Sequence, residues 1–355
     1  MNTFIFRSRV CNLSVTESLD NGSVKTCYAA IALLCASTAV SAQLLINGAG
    51  ATFPYPIYAK WFDEYHKVNP KAQINYQSIG SGGGIRQLQA GTVDFGASDS
   101  PMTDEQLAAG GKVLHFPTVL GAVVPAYNVT GASRELNFTS EALAGIFLGT
   151  ITRWNDPELA RANPGVPLPA AAVVVIHRSD GSGTTFVWTD YLAKASAAWK
   201  SKVGTGTAVR WPAGLGAKGN EGVAGLVRQT PNSIGYVELV YALQNKMAYG
   251  KVRNAAGVFV KADLKSVTAA AASAEMPGDF RVSVTDPPGK DAYPISSFTW
   301  LLVPAKFQNS EKRATITAFL RWMLTDGQKL AEPLGYAPLP AAVVSRELKA
   351  ISSIQ

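Results

Sequence analysis

The chain has 355 residues, 47% of them hydrophobic, with a formal charge of +7 and three cysteines. That length supports two domains or one large one, and the charge comes without any dense Lys/Arg block, which argues against a nucleic-acid-binding surface. Cys11, Cys27 and Cys35 all precede residue 43, so a chain processed there has no disulfide, thiol or zinc-thiolate chemistry.

Residues 29–42 form a short apolar stretch ending in Val40-Ser-Ala42, the small residues a signal peptidase requires, so cleavage is expected after Ala42. The stretch is too short to span a membrane comfortably. Cys35 follows Leu33-Leu34 rather than a small residue, which argues against a lipid anchor and places the product in the periplasm of a Gram-negative cell. Glu17 and Asp20 spoil the usual basic start, whereas Val24-Lys-Thr26 directly precedes the apolar run, so translation is expected to begin at Val24. Residues 1–42 carry Arg7, Arg9 and Lys25 against Glu17 and Asp20, a net +1, leaving +6 for the remainder.

From residue 43 onward, apolar strands run repeatedly into turns of small residues that open helices. Leu44-Leu-Ile46 leads through Asn47-Gly-Ala-Gly-Ala-Thr52-Phe53-Pro54 into a helix whose apolar face is Ile57, Tyr58, Trp61, Phe62 and Tyr65. Gly48-Ala-Gly50 lacks a third glycine at the dinucleotide spacing, and no Gly-Lys-Ser/Thr triplet follows. Gln73–Ile79 alternates as a strand and passes through Gly80-Ser81-Gly-Gly-Gly84 into a second helix; Ile79 excludes the hydrolase elbow there. Val93-Asp-Phe-Gly-Ala-Ser-Asp99 is a short strand ending on a carboxylate. Asp99 either caps the helix at Thr103–Leu107, the commoner use, or faces a ligand at the strand's carboxyl end.

Residues 116–128 read as a long apolar strand with Gly121 inside it, able to run from one domain to another. A capped helix at 138–148 follows. Next comes the β-branched run Val173-Val-Val-Ile176, then His177-Arg178-Ser-Asp180-Gly-Ser182-Gly183-Thr184, then a helix that is expected to continue through 193–202. This turn points backbone N–H groups at one spot, where the helix dipole favours negative charge. Arg178 adds a planar cationic fork that Asp180 can brace. An ordinary capped turn with a surface Arg–Asp pair has the same sequence, and this stretch alone does not choose between them. Further along, residues 211–222 are glycine-rich and open a helix at 223–228, 233–238 is a strand, and 269–273 is too alanine-rich to type. A strand at 293–303 precedes an amphipathic helix with Ile316, Phe319, Leu320 and Met323 on one face, and a short helix closes the chain near 340–351. The alternation of strands and helices makes the class α/β, with no repeat of fixed period.

Three strand–turn–helix units make one demand, an anion held by N–H and hydroxyl groups. Asp99 then discriminates: a carboxylate repels sulfate, which carries no proton, but accepts a hydrogen bond from the O–H that phosphate retains near neutral pH. In these stretches, with Trp211-Pro, Gly219-Asn220 and Ile234-Gly-Tyr-Val-Glu238, the sequence resembles the periplasmic phosphate-binding proteins of bacterial high-affinity phosphate ABC transporters. The resemblance implies a two-lobed type II periplasmic-binding-protein fold, with one lobe at 43–122 plus 293–355, the other at 123–292, and the ligand between them. It implies phosphate contacts from Thr52 and Phe53 (chiefly backbone), Ser81, Asp99, Arg178, Ser182, Gly183 and Thr184, with Asp180 orienting Arg178. The implied partners are phosphate and the transporter's permease subunits. A monomer without cofactor, metal or catalytic activity is expected. His177 departs from the family, whose members often carry a second arginine there.

Two rival readings are a phosphatase-like hydrolase and a receptor for another oxyanion. The first has only His66, His115 and His177 to draw on, each expected to be a packing or surface residue, although a Ser182–His177 pair is conceivable. The second is opposed by Asp99. Asn128-Val-Thr and Asn137-Phe-Thr match glycosylation acceptors by chance.

Overall fold

A computed structural model describes residues 43–131 and 135–355. The apolar leader, the cysteines and the Val24 start lie outside the described residues. The strands are β1 (Leu44–Gly50), β2 (Ala72–Ser78), β3 (Phe95–Ser98), β4 (Val113–Asn128), β5 (Asn137–Phe138), β6 (Val174–Arg178), β7 (Leu215–Ala217), β8 (Ser233–Glu238), β9 (Ala248–Tyr249), β10 (Lys251–Arg253), β11 (Phe259–Val260) and β12 (Ser296–Pro304). The main sheet runs β2-β1-β3-β12-β4-β8-β6-β7, with β9 also on β4; β11-β10-β5 form a small second sheet.

β4 is the strand both parts of the sheet share. Its segment from Val113 to Ala122 pairs antiparallel with β12, and its segment from Val123 to Asn128 pairs antiparallel with β8. The partner therefore changes between Ala122 and Val123, next to Gly121. A side chain on Gly121 would lie 2.7 Å from the Phe53 ring and 3.0 Å from Glu238 Oε1, so only glycine lets the two parts meet here. On one side β1 runs parallel to β2 and β3; on the other β6 runs parallel to β8 and β7. Parallel strands need crossover helices, and the helical periodicities supply them.

The helices are α1 (Tyr55–Val68), α2 (Ser81–Gln89), α3 (Asp104–Gly110), α4 (Ser140–Phe147), α5 (Pro157–Ala162), α6 (Gly183–Ala195), α7 (Ala197–Lys202), α8 (Gly219–Gln229), α9 (Leu239–Gln244), α10 (Leu264–Ala272), α11 (Ser310–Leu324) and α12 (Ala341–Ala350). All five apolar residues expected on α1 are buried, as are the four expected on α11. The two faces meet: the Phe319 ring packs 5.4 Å from Phe62 and 5.2 Å from Tyr65. Among the described residues no helix is long and apolar enough to cross a membrane.

Four local readings need correction. The expected continuous helix through 193–202 breaks at Ser196, whose extended backbone ends α6 and whose hydroxyl caps α7 at Trp199 N. α8 begins at Gly219, four residues before the apolar periodicity does, and β7 precedes it unannounced. The alanine-rich stretch belongs to α10, which Asp263 and Ser266 start with a capping box. The cap of α3 is Thr103, in a capping box with Gln106, which releases Asp99 from that duty.

The stretch before β12 touches both parts of the molecule. Arg346 on α12 donates to the carbonyls of Met276 and Pro277, Trp300 to that of Phe280, and Arg281 donates to Met102 O and Asp104. A few residues on, Ser283 and Thr285 donate to Asp190 on α6 and accept from Lys194.

Candidate functional site

The three small-residue turns meet beside the β4 partner change. Thr52, Phe53, Ser81, Asp99, Arg178, Ser182 and Thr184 are each at most 3% exposed, and Gly183 is buried with them. Ser81 opens α2, Ser182 caps α6 through Thr185 N at 3.0 Å, and Thr52 and Phe53 lie just before α1. The turns touch through backbone: Gly82 N donates to Gly181 O at 2.9 Å, and Gly183 N donates to Ser81 Oγ at 3.0 Å. Asp99 N reaches the same Ser81 oxygen at 3.2 Å.

Arg178 is held rigidly. Its Nε donates to Asp180 Oδ1 at 2.7 Å and one terminal nitrogen donates to Oδ2 at 2.5 Å, while Gly219 N supports Asp180 Oδ1 at 3.1 Å. Burial pushes the Asp180 carboxyl up, but the Arg178 bonds and charge outweigh it and hold its pKa below the ordinary value. The other terminal nitrogen, Nη1, is buried without a partner. Asp99 is the complementary case. Its Oδ1 accepts from Thr299 Oγ1 at 2.8 Å, and its Oδ2 is buried without a partner. Burying a polar atom unpaired costs about 1–3 kcal/mol, more when it is charged, so one cationic donor and one carboxylate oxygen left open together signal a ligand that completes both.

The hydroxyls sharpen that demand. Ser81 Oγ accepts two backbone N–H bonds, Ser182 Oγ one, and Thr52 Oγ1 two from Asn220. A hydroxyl whose lone pairs are occupied can only donate onward. Ser81 and Thr52 are therefore held as donors, and the open Asp99 Oδ2 is an acceptor beside them, which suits an oxyanion that still carries a proton.

Burial pushes the Asp99 carboxyl up from 3.8 to about 7, against the opposing pull of Thr299, Arg178 and Ser81. The folded state thus holds a proton that the unfolded chain releases near pH 4. Its contribution to stability is complete below that value and is lost as pH rises through about 7. Scanning calorimetry of phosphate-free protein between pH 4 and 7 should therefore show the melting temperature falling more steeply in the native protein than in Asp99→Asn. Glu347, also pushed up by burial, contributes equally to both proteins, whereas Glu238 is raised by burial and further by the Asp99 charge, so its share falls with Asp99 in the variant.

Every histidine has a structural task. His177 stacks on Trp211 with ring centres 4.8 Å apart, and its Nδ1 lies 3.0 Å from Arg178 O; burial lowers its pKa, which disfavours a second cation in the arginine's place. His115 Nε2 accepts from Met102 N at 3.1 Å, and burial takes its pKa down to about 4. His66, half-buried rather than on the outer side of α1, has Nδ1 2.8 Å from Ala72 O. Among the described residues no cluster of His, Cys, Asp or Glu could hold a metal ion.

Sequence reading missed several supporting residues. Asn220, 0% exposed, bonds Thr52 and Thr184. Thr299 holds Asp99, Tyr236 receives Arg178 N, and the Tyr241 and Tyr336 hydroxyls donate to the carbonyls of Thr52 and Phe53. Asn220 and Tyr236 lie in stretches that carry the family resemblance but had no role assigned, and the signal for Thr299 was polarity inside an apolar strand, between Phe298 and Trp300.

Residues 36–327 match the PBP superfamily domain. The phosphate-binding protein PstS of Xylella fastidiosa strain Temecula1 is 46% identical over 304 residues, covering 85% of this chain and 83% of the relative. The Haemophilus influenzae protein of the same name is 48% identical over 303 residues, covering 84% and 90%. Among solved structures, a high-affinity periplasmic phosphate-binding protein with phosphate bound superposes with a TM-score of 0.71 over 86% of this chain and 93% of that one. At 21% identity that likeness is one of fold.

Proposed function

We infer that this chain, which belongs to the PBP superfamily and within it to the PstS phosphate-binding proteins, captures inorganic phosphate and delivers it to an ABC transporter for import. The observation that carries this reading is that Arg178 Nη1 and Asp99 Oδ2 are both buried and open, beside Ser81 and Thr52 hydroxyls whose lone pairs are engaged. Phosphate satisfies both at once: its oxygens accept from Arg178, Ser81, Ser182, Thr52 and Thr184 and from the backbone at Phe53, its remaining proton goes to Asp99, and Gly183, whose N–H is engaged by Ser81 Oγ, lines the site. The protein works in the periplasm as a monomer, released from residues 1–42 by cleavage after Ala42, and hands its ligand to membrane permease subunits. Its role is binding, and each histidine is engaged in packing or a backbone hydrogen bond.

The lobes on this reading are 43–122 plus 293–355 and 123–292, with the stretch from Met276 to Arg281 draped back on the first. They close about the β4 partner change, so that the turn holding Arg178 meets the turns holding Ser81 and Thr52 around the ion.

Titration calorimetry of protein stripped of phosphate tests this directly. Phosphate and arsenate should bind tightly and sulfate should not; tight sulfate binding would refute the role of Asp99, and silence with all three would refute the site. In Asp99→Asn the phosphate-over-sulfate preference should narrow by about 10- to 100-fold, the worth of one charged hydrogen bond and one removed repulsion. An unchanged ratio would mean that Asp99 does not face the ligand.

A further inference from the structure

We propose that Asn220 is a positioning residue that sets the proton direction of two hydroxyls, committing Thr52 to donate to the bound anion and biasing Thr184 to do the same. The proposal rests on the phosphate reading above. Asn220 is fully buried at the start of α8, and its polar groups are all used. Its Oδ1 accepts from Glu238 N at 2.9 Å. A backbone N–H can only donate, so the amide oxygen must lie at that end and the NH2 group must face the threonines; the orientation is not ambiguous. Nδ2 then donates to Thr52 Oγ1 at 2.8 Å and to Thr184 Oγ1 at 3.0 Å, and Asn220 N donates to Thr52 Oγ1 at 3.2 Å.

The consequence follows from the capacity of a hydroxyl, which has two lone pairs and one proton. Thr52 Oγ1 has both lone pairs engaged by Asn220, and Thr184 Oγ1 has one. Among the described residues neither hydroxyl donates to a protein group, so each proton is left for the ligand. Without Asn220 both hydroxyls can rotate and offer lone pairs to an anion that is itself an acceptor. Asn220 also joins Thr52, which precedes α1, to Thr184 on α6 and to the end of β8, so the arrangement is complete only when these three elements are together.

The test is a set of phosphate dissociation constants by calorimetry for the native protein, Asn220→Ala, Thr52→Val with Thr184→Val, and the triple variant, each with its ligand-free melting temperature. Asn220→Ala should weaken phosphate binding by roughly 10- to 100-fold, the worth of two reoriented hydrogen bonds. In the background lacking both hydroxyls, the same replacement should weaken it less than about threefold, since nothing remains to orient. An equal factor in both backgrounds would make Asn220 a general structural support and overturn the proposal. If Asn220→Ala does not fold, Asn220→Asp decides. Its carboxylate still accepts from Glu238 N but turns both threonine protons away from the ligand, so it should lose more affinity in the native background than in the valine background. Equal loss overturns the proposal. A native protein that binds no phosphate overturns the parent reading instead, and the two failures are thereby distinct.

Discussion

Replacing Gly183 with alanine should weaken phosphate binding by about 3 kcal/mol, roughly 100-fold, as an overpacked contact does when nothing can relax. A β-carbon at this position lies 2.4 Å from Ser81 Oγ, 2.6 Å from Asp99 Oδ2 and 2.7 Å from Asp99 Cβ. Those atoms belong to the β2–α2 turn and the end of β3, whereas Gly183 begins α6. In the lobed reading the clash therefore arises only on closure. The open protein should not suffer, because Gly183 is not in the left-handed region and a helix prefers alanine to glycine by up to about 1 kcal/mol. Calorimetry should show the loss of affinity, and the ligand-free melting temperature should be unchanged or slightly higher. Gly225, on α8 with nothing within 4 Å of its added carbon, is the matched control: Gly225→Ala should leave binding intact. Native affinity in Gly183→Ala would mean that the turns do not approach this closely around the ligand.

Arg178→Met should abolish useful binding, with a loss of about 3–5 kcal/mol, some two to four orders of magnitude. Two effects combine. The anion loses its cationic partner, and Asp180, largely buried and now unpaired, adds a negative charge beside it. Arg178→Lys should rescue little, because an ammonium group cannot hold Asp180 with two parallel bonds and still present a third donor inward. Asp180→Asn should cost less than either, since the guanidinium remains and only its orientation loosens. Calorimetry with circular dichroism as a folding control measures all three; near-native affinity in Arg178→Met would place the anion elsewhere.

Part of the proposed site was legible as local pattern, although the full set of contacts came from the family resemblance. Ser81, Ser182 and Thr184 sit where strand periodicity stops and helical periodicity begins, and Arg178 precedes such a turn by four residues or fewer. Small residues there are needed for caps and for exposed N–H groups, so the pattern carries information about an anion before any contact is known. Asp99 was different. Strand end and helix start lie so close together that cap and ligand readings competed; the capping box at Thr103 removes the cap reading, and the open Oδ2 supports the proposed ligand reading. The lost boundaries have the same origin: β7 spans three residues and α7 six, too short for a period to register.

Sequence alone determined the α/β class and the amphipathic faces of α1 and α11, because these depend on neighbours three to seven positions away. Tertiary structure decided what depends on distant partners. It brought Asn220 to Thr52 across 168 positions and Thr299 to Asp99 across 200, and it left Arg178 Nη1 and Asp99 Oδ2 both buried and open. It also made β4 the shared strand, since a strand's pairing partners are set by the fold's topology and not by the strand's own pattern.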